Sequence, residues 1–123
     1  MRLDKLAVSS QEAFQQAMGI AADHDAAALE PEHLLKALLD SGEGNLNSII
    51  ERVGAAPEAV NKAVVAEIEA APRVTGSRVM GVTPPSQRFT QVIDNAEKIA
   101  ARMEDSFTTT EHLLIALADD KGA

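Results

Sequence analysis

Cysteine, tyrosine and tryptophan are absent from these 123 residues, and phenylalanine occurs three times. Lack of cysteine excludes disulfides, thiolate zinc sites and a cysteine nucleophile, and gives no sign of an oxidising compartment. With so few aromatics, the core must be built from Ala, Leu, Ile, Val and Met, and bases find no platform to stack on. Basic residues are scarce too: eleven against nineteen acidic, a formal charge of −8. That average field repels a polyanion, and no Lys/Arg cluster offsets it, so nucleic acid is not an expected partner. No stretch approaches the ~18 apolar residues of a membrane span. Arg2, Asp4 and Lys5 interrupt the opening "MRLDKLAVSS", which therefore lacks the apolar core of a signal peptide. These absences together imply a soluble cytoplasmic protein.

What remains is 46% hydrophobic and rich in strong helix formers. Apolar spacing is helical nearly throughout. Ala13, Phe14, Ala17, Ile20 and Ala21 mark a first helix, which starts at Asp4 if Leu3 and Leu6 extend its face. A capping box at Ser9 and Glu12 offers a later start. Pro31 opens a second helix with Leu34, Leu35, Leu38 and Leu39 as its stripe, stopped by Gly42 and Gly44. A third carries Leu46, Ile49, Ile50 and Val53 and ends at Gly54, a left-handed C-cap. The fourth runs from Pro57 through Val60, Val64, Ile68 and Ala71 to Pro72.

"PRVTGSRVMGVTPP" then breaks the pattern. It is either a linker whose Val79, Met80 and Val82 tuck back, or a binding flap. Ser86 caps a fifth helix bearing Phe89, Val92, Ile93, Ala96, Ile99, Ala100 and Met103. A capping box from Thr108 to Glu111 precedes a sixth with Leu113, Leu114 and Leu117. No run alternates long enough for a strand. The expected fold is all-α.

"PEHLLKALLD" and "TEHLLIALAD" lie 79 positions apart, from Glu32 to Glu111. Sliding the chain by that amount aligns residues 10–40 with 89–119 without a gap and gives eleven identities in 31 pairs. A duplicated unit that cannot bury its face alone packs against its copy, commonly about a pseudo-two-fold axis. The first repeat is expected over about 4–71, a linker loop over 72–85, and a partial second repeat over 86–123, all within one domain. The second copy breaks off before counterparts of the third and fourth helices. Either the chain is cut short there or core helices lie beyond Ala123, and apolar surface should be left bare.

The Glu-His pairs raise the question of acid–base or metal chemistry. Adjacent helical residues point about 100° apart, so neither pair chelates alone, and all four groups meet only if the motifs face each other. The H-E-x-x-H and G-x-S-x-G patterns are absent. A simpler reading makes Glu a dipole and capping partner and His a semi-buried polar residue of the first turn. His24 and Asp25 read as a solvated helix end, and Met18, Met80 and Met103 as core filler. "DSGEGN" lacks the ligand pattern of a calcium loop. No catalytic, cofactor or metal residue is assigned.

The two "EHLL" helix starts, Glu32 to Leu38 and Glu111 to Leu117, resemble the hallmark of the N-terminal domain of Clp-family AAA+ unfoldases, a tandem repeat of a four-helix unit. "MRLDKL", "LEPEHLL" and the "PSQ" before the fifth helix are most similar to the ClpB disaggregase branch. The resemblance implies a substrate-recruitment domain that binds unfolded or aggregated polypeptides through an apolar groove with an acidic rim, then passes them to a hexameric ATPase ring. ATP and Mg would serve later domains; this chain has no G-x-x-x-x-G-K-[ST] loop and is no enzyme itself. By position, Ile99 falls in the implied groove and Asp105 and Glu111 on its acidic rim. Asn95 and His112 occupy groove positions that are apolar in those relatives, and Ala7 stands where they often carry Thr. Rim carboxylates would favour basic extended segments, with affinity on the order of 10–100 μM. An alternative is an adaptor-docking domain of a protease-linked Clp ATPase, with one tighter partner. The isolated domain is expected to be a monomer.

Overall fold

A computed structural model describes residues 6–41, 46–52, 54–71 and 83–119; for Leu46, Asn47, Ile49 and Asp119 it describes the backbone alone. Six helices occupy them: α1 (Val8–Asp23), α2 (Pro31–Ser41), α3 (Leu46–Arg52), α4 (Pro57–Ala70), α5 (Gln87–Arg102) and α6 (Thr110–Asp119). The expectations for Leu3, Gly42, Gly44, Val53, Pro72, Val79, Met80 and Val82 lie outside the described residues. Among the described residues there is no strand, only two isolated parallel bridges.

Those bridges show how the copies join. Leu6 pairs with Thr108 and Leu29 with Pro85. Leu6 and Pro85 are counterparts in the two repeats, as are Leu29 and Thr108. The same contact is thus made twice, crosswise, as a two-fold axis requires. Its hydrogen bonds repeat too: Ala7 N–H donates to the Thr108 carbonyl at 2.9 Å, and Ser86 N–H to the Leu29 carbonyl at 3.0 Å. Helix contacts obey the same exchange, α1 touching α6 and α2 touching α5, with α2 against α6.

This seam corrects the expected start of α1. Leu6 and Ala7 are extended rather than helical, Ala7 is the N-cap, and neither the Asp4 start nor a Ser9 capping box is used. Backbone pairing with Thr108 satisfies Ala7 outside the helix, while Leu6 still buries its side chain. Ser10, fully buried, donates its hydroxyl to the same Thr108 carbonyl at 2.9 Å.

Packing explains the Ala-rich composition. Ala13, Ala17 and Ala21 form a buried stripe on α1, matched on α5 by Val92, Ala96 and Ala100. Small side chains let these helices approach α2 and α6, which supply Leu34, Ala37 and Leu38 and Leu113, Ala116 and Leu117. Phe14 and Phe89 meet edge to face at 5.6 Å, giving the core its aromatic contact. Lys36 bonds Asn61 at 2.8 Å and ties α2 to α4, while Arg88 pairs with Glu32 at 2.9 Å and ties α5 to α2. Gly54 is left-handed at the end of the α3 turn, as its position suggests, with φ +89.

The ends of α1 and α5 are built alike. Ala26 N–H returns to the Ala21 carbonyl and Asp105 N–H to Ala100, both at 2.9 Å. The left-handed residue that closes each turn is Asp25 (φ 52) or Glu104 (φ 59), where glycine usually sits. Met103, expected on the core face, caps α5 instead and is exposed, as is Met18. The reversal after Arg102 turns Met103 off the apolar stripe.

Candidate functional site

The Glu-His-Leu-Leu motif is a capping device, in a register one residue later than expected at α6. Glu30 N–H donates to His33 Nδ1 at 2.8 Å, and Thr109 N–H donates to His112 Nδ1 at 2.9 Å. Histidine therefore takes the third helical position, where a capping box usually has Glu or Gln. Glu32 and Glu111 sit one place earlier, in the first turn, where their charge complements the helix dipole. Thr108 is not the cap; it is held in the seam.

Each histidine accepts through Nδ1, so each neutral ring carries its proton on Nε2. At His112 that proton goes to Asp105 Oδ2 at 2.8 Å. At His33 the counterpart of Asp105 is Ala26, and His33 Nε2 is buried with no partner. Burial lowers the His33 pKa from its ordinary value, against the smaller raising effect of Glu30. Both rings are buried more deeply than the semi-buried position expected, at 1% and 2% exposure.

Around the α5–α6 turn the chain forms two hollows. One, of about 310 Å³, lies on the α5 side and includes Glu97, Ala101, Asp105 and Phe107 in its wall. The other, of about 380 Å³, lies on the α6 side and includes Asp105, Phe107, Thr110, Glu111 and His112. Among the described residues, no Lys or Arg lines either hollow. Their size suits a few side chains rather than a folded surface.

Three of the five residues singled out from the sequence, Asp105, Glu111 and His112, therefore line one hollow. Glu111 is exposed; Asp105 is half exposed and oriented by His112. Asn95 and Ile99 line neither hollow. Ile99 is 7% exposed and belongs to the core, with little area to offer a ligand. Phe107, 53% exposed, and Glu97 were missed. The signal for Phe107 was a lone aromatic in "EDSF", outside every helical stripe. Among the described residues, no three His, Asp or Glu side chains converge as metal ligands, and no helix is long and apolar enough to cross a membrane.

Residues 5–123 match the Clp repeat (R) N-terminal domain family. A chaperone protein ClpB from Porphyromonas gingivalis is 35% identical over 117 residues, which are 95% of this chain and 13% of that protein. The chain thus spans about an eighth of that relative's length. The Hsp104 N-terminal domain from Candida albicans superposes with TM-score 0.83 at 21% identity, covering 96% of this chain and 76% of that one. A ClpV N-domain in complex with a VipB peptide superposes with TM-score 0.76 at 18% identity, covering 92% and 67%.

Proposed function

Because the chain belongs to the Clp repeat N-terminal domain family, we propose that it recruits substrates for an ATP-dependent disaggregase or related chaperone. In this reading it binds unfolded or aggregated polypeptides at the α5–α6 end and passes them to an AAA+ ring in the cytoplasm. ATP and Mg belong to other segments of such a protein, since this chain carries no phosphate loop. The observation that carries the proposal is the shared hollow of Asp105, Glu111 and His112, beside an exposed Phe107 and, among the described residues, without Lys or Arg in its wall. Apolar contact with a rigid surface is tolerant of sequence, and the carboxylates add a preference for basic segments. The apolar stripes of α5 and α6 beneath are buried in the core, so binding need not order the receptor.

Amide NMR tests this. Titration with a permanently unfolded polypeptide should shift resonances around Asp105 and Glu111, and Glu111→Ala should reduce the shifts. A dispersed spectrum that stays unchanged at high ligand concentration rejects direct capture. The peptide bound by the ClpV N-domain favours a second reading, docking of one defined adaptor. That reading requires a single folded partner to bind far more tightly than unfolded chains do.

A further inference from the structure

We infer that the peptide unit between Leu29 and Glu30 is an acid-operated latch. A proton on His33 turns it and opens the seam between the α1–α2 turn and the start of α5, while the equivalent unit between Thr108 and Thr109 keeps the other seam shut. The inference goes beyond the capture reading and does not depend on it.

One peptide unit carries both bonds. Its carbonyl, on Leu29, accepts the Ser86 N–H at 3.0 Å and holds the seam; its N–H, on Glu30, donates to His33 Nδ1 at 2.8 Å and caps α2. Leu29 N–H also donates to the Pro84 carbonyl at 2.7 Å, and the Ser86 hydroxyl to Glu30 Oε1 at 2.6 Å. The neutral ring holds its proton on Nε2, so a second proton enters at Nδ1. Two donors then face each other, Nδ1–H and the Glu30 N–H, and the peptide must turn. Turning takes the Leu29 carbonyl off Ser86. Nε2 gives no compensation, being buried without a partner.

Two charged groups act on the ring: Glu30, which favours the proton, and His24 at the end of α1, which opposes it. From α5, Arg88 pairs at 2.9 Å with Glu32, the residue before His33. Burial is the largest influence and disfavours the charge. A closed seam therefore refuses a proton that an open one accepts. Above about pH 6.5 both states are neutral and the latch is shut; below it, acid draws the seam open.

The duplication supplies the contrast. In the second repeat the Thr108 carbonyl accepts the Ala7 N–H at 2.9 Å, and Thr109 N–H donates to His112 Nδ1 at 2.9 Å. A charged His112 has an acceptor on each side: Asp105 Oδ2 at 2.8 Å from Nε2, and Thr109 Oγ1 at 3.1 Å from Nδ1. Ala26 and Glu30 stand in those places at His33. The Thr108 carbonyl has a second anchor as well, the Ser10 hydroxyl at 2.9 Å. Phe89 matches Ser10 at the first seam and has no hydroxyl to give.

Amide hydrogen exchange followed by NMR at about pH 7.5, 6.5 and 5.5, corrected for the intrinsic rate at each pH, reads the two seams separately. Protection of the Leu29, Glu30 and Ser86 amides should fall about five- to tenfold from the highest to the lowest pH. Protection of Ala7 and Thr109 should change by less than about twofold. In His33→Gln the first three amides should hold steady. An equal fall at all five amides means that the proton acts on the whole fold, and overturns the latch. Constant protection at all five, or the same fall at Leu29, Glu30 and Ser86 in His33→Gln, overturns it too.

Discussion

Substituting His33 by glutamine should flatten the acid side of the stability curve. His33 is 1% exposed, its Nδ1 accepts the Glu30 N–H, and its Nε2 is without a partner. A proton can enter only at Nδ1, which breaks the cap and places a charge in the core. Desolvation accordingly lowers the folded pKa below the ordinary histidine value of 6.5, with Glu30 raising it less and His24 lowering it further. These two, both from the turn between α1 and α2, are the charged groups that act on it. Above pH 6.5 both folded and unfolded rings are neutral, so the contribution of His33 is fully present. As pH falls through that value, the unfolded chain takes a proton that the folded chain refuses, and stability declines. The limiting slope is about 1.4 kcal/mol per pH unit, reached below the unfolded pKa and held until the folded ring itself protonates. A domain of this size has roughly 5–15 kcal/mol in hand, so the loss is measurable.

Glutamine at the same position can accept the Glu30 N–H, as in a capping box, and has no proton to bind. Urea unfolding of both proteins at about pH 7.5, 6.5 and 5.5 gives the difference in slope. His112 and the carboxylates other than Glu30 are common to both and cancel; Glu30 and His24 act on His33 with opposite sign and less strongly than burial does. The wild type should lose roughly 1 kcal/mol more than the variant between the highest and lowest pH. Parallel curves would refute the tautomer and the burial argument together.

Three further outcomes follow from the packing and caps. Phe89→Ala, which empties a fully buried site against Phe14, should cost about 3–5 kcal/mol in chemical denaturation. Ser86→Ala removes the acceptor for Phe89 N–H and the donor to Glu30. Its expected cost is about 1–2 kcal/mol, seen as a lower melting temperature. Glu104→Gly relieves a left-handed backbone at φ 59 and should stabilise by roughly 0.5–1 kcal/mol; a loss of stability would contradict the assigned turn.

Much of the fold was legible because local rules govern it. Pro31, Pro57 and Ser86 start helices where their chemistry suggests, and Gly54 is left-handed as expected. The misreadings arose where a distant partner replaced a local one. Leu6 left the helix to pair with Thr108, about a hundred residues away in sequence but adjacent across the axis. Thr108 looked like a cap because Glu111 follows at the capping spacing, yet its carbonyl was already committed to Ala7 and Ser10. Of the residues that line the α6-side hollow, the resemblance singled out Asp105, Glu111 and His112, whereas Phe107 belongs to no periodic pattern.

By itself the sequence determined that the chain is helical, that its unit is duplicated at a spacing of 79, and which apolar stripes must be buried. Those follow from backbone periodicity and propensity, which act over a few residues. Only the tertiary structure decided what each duplicated residue is for. His33 and His112 occupy equivalent helical positions, but His33, with Ala26 where its copy has Asp105, keeps a buried Nε2 without a partner, while His112 Nε2 finds Asp105. Ile99 is drawn into the core and Phe107 is left in water. Burial and pairing depend on what lies across the seam, and helical spacing does not specify that.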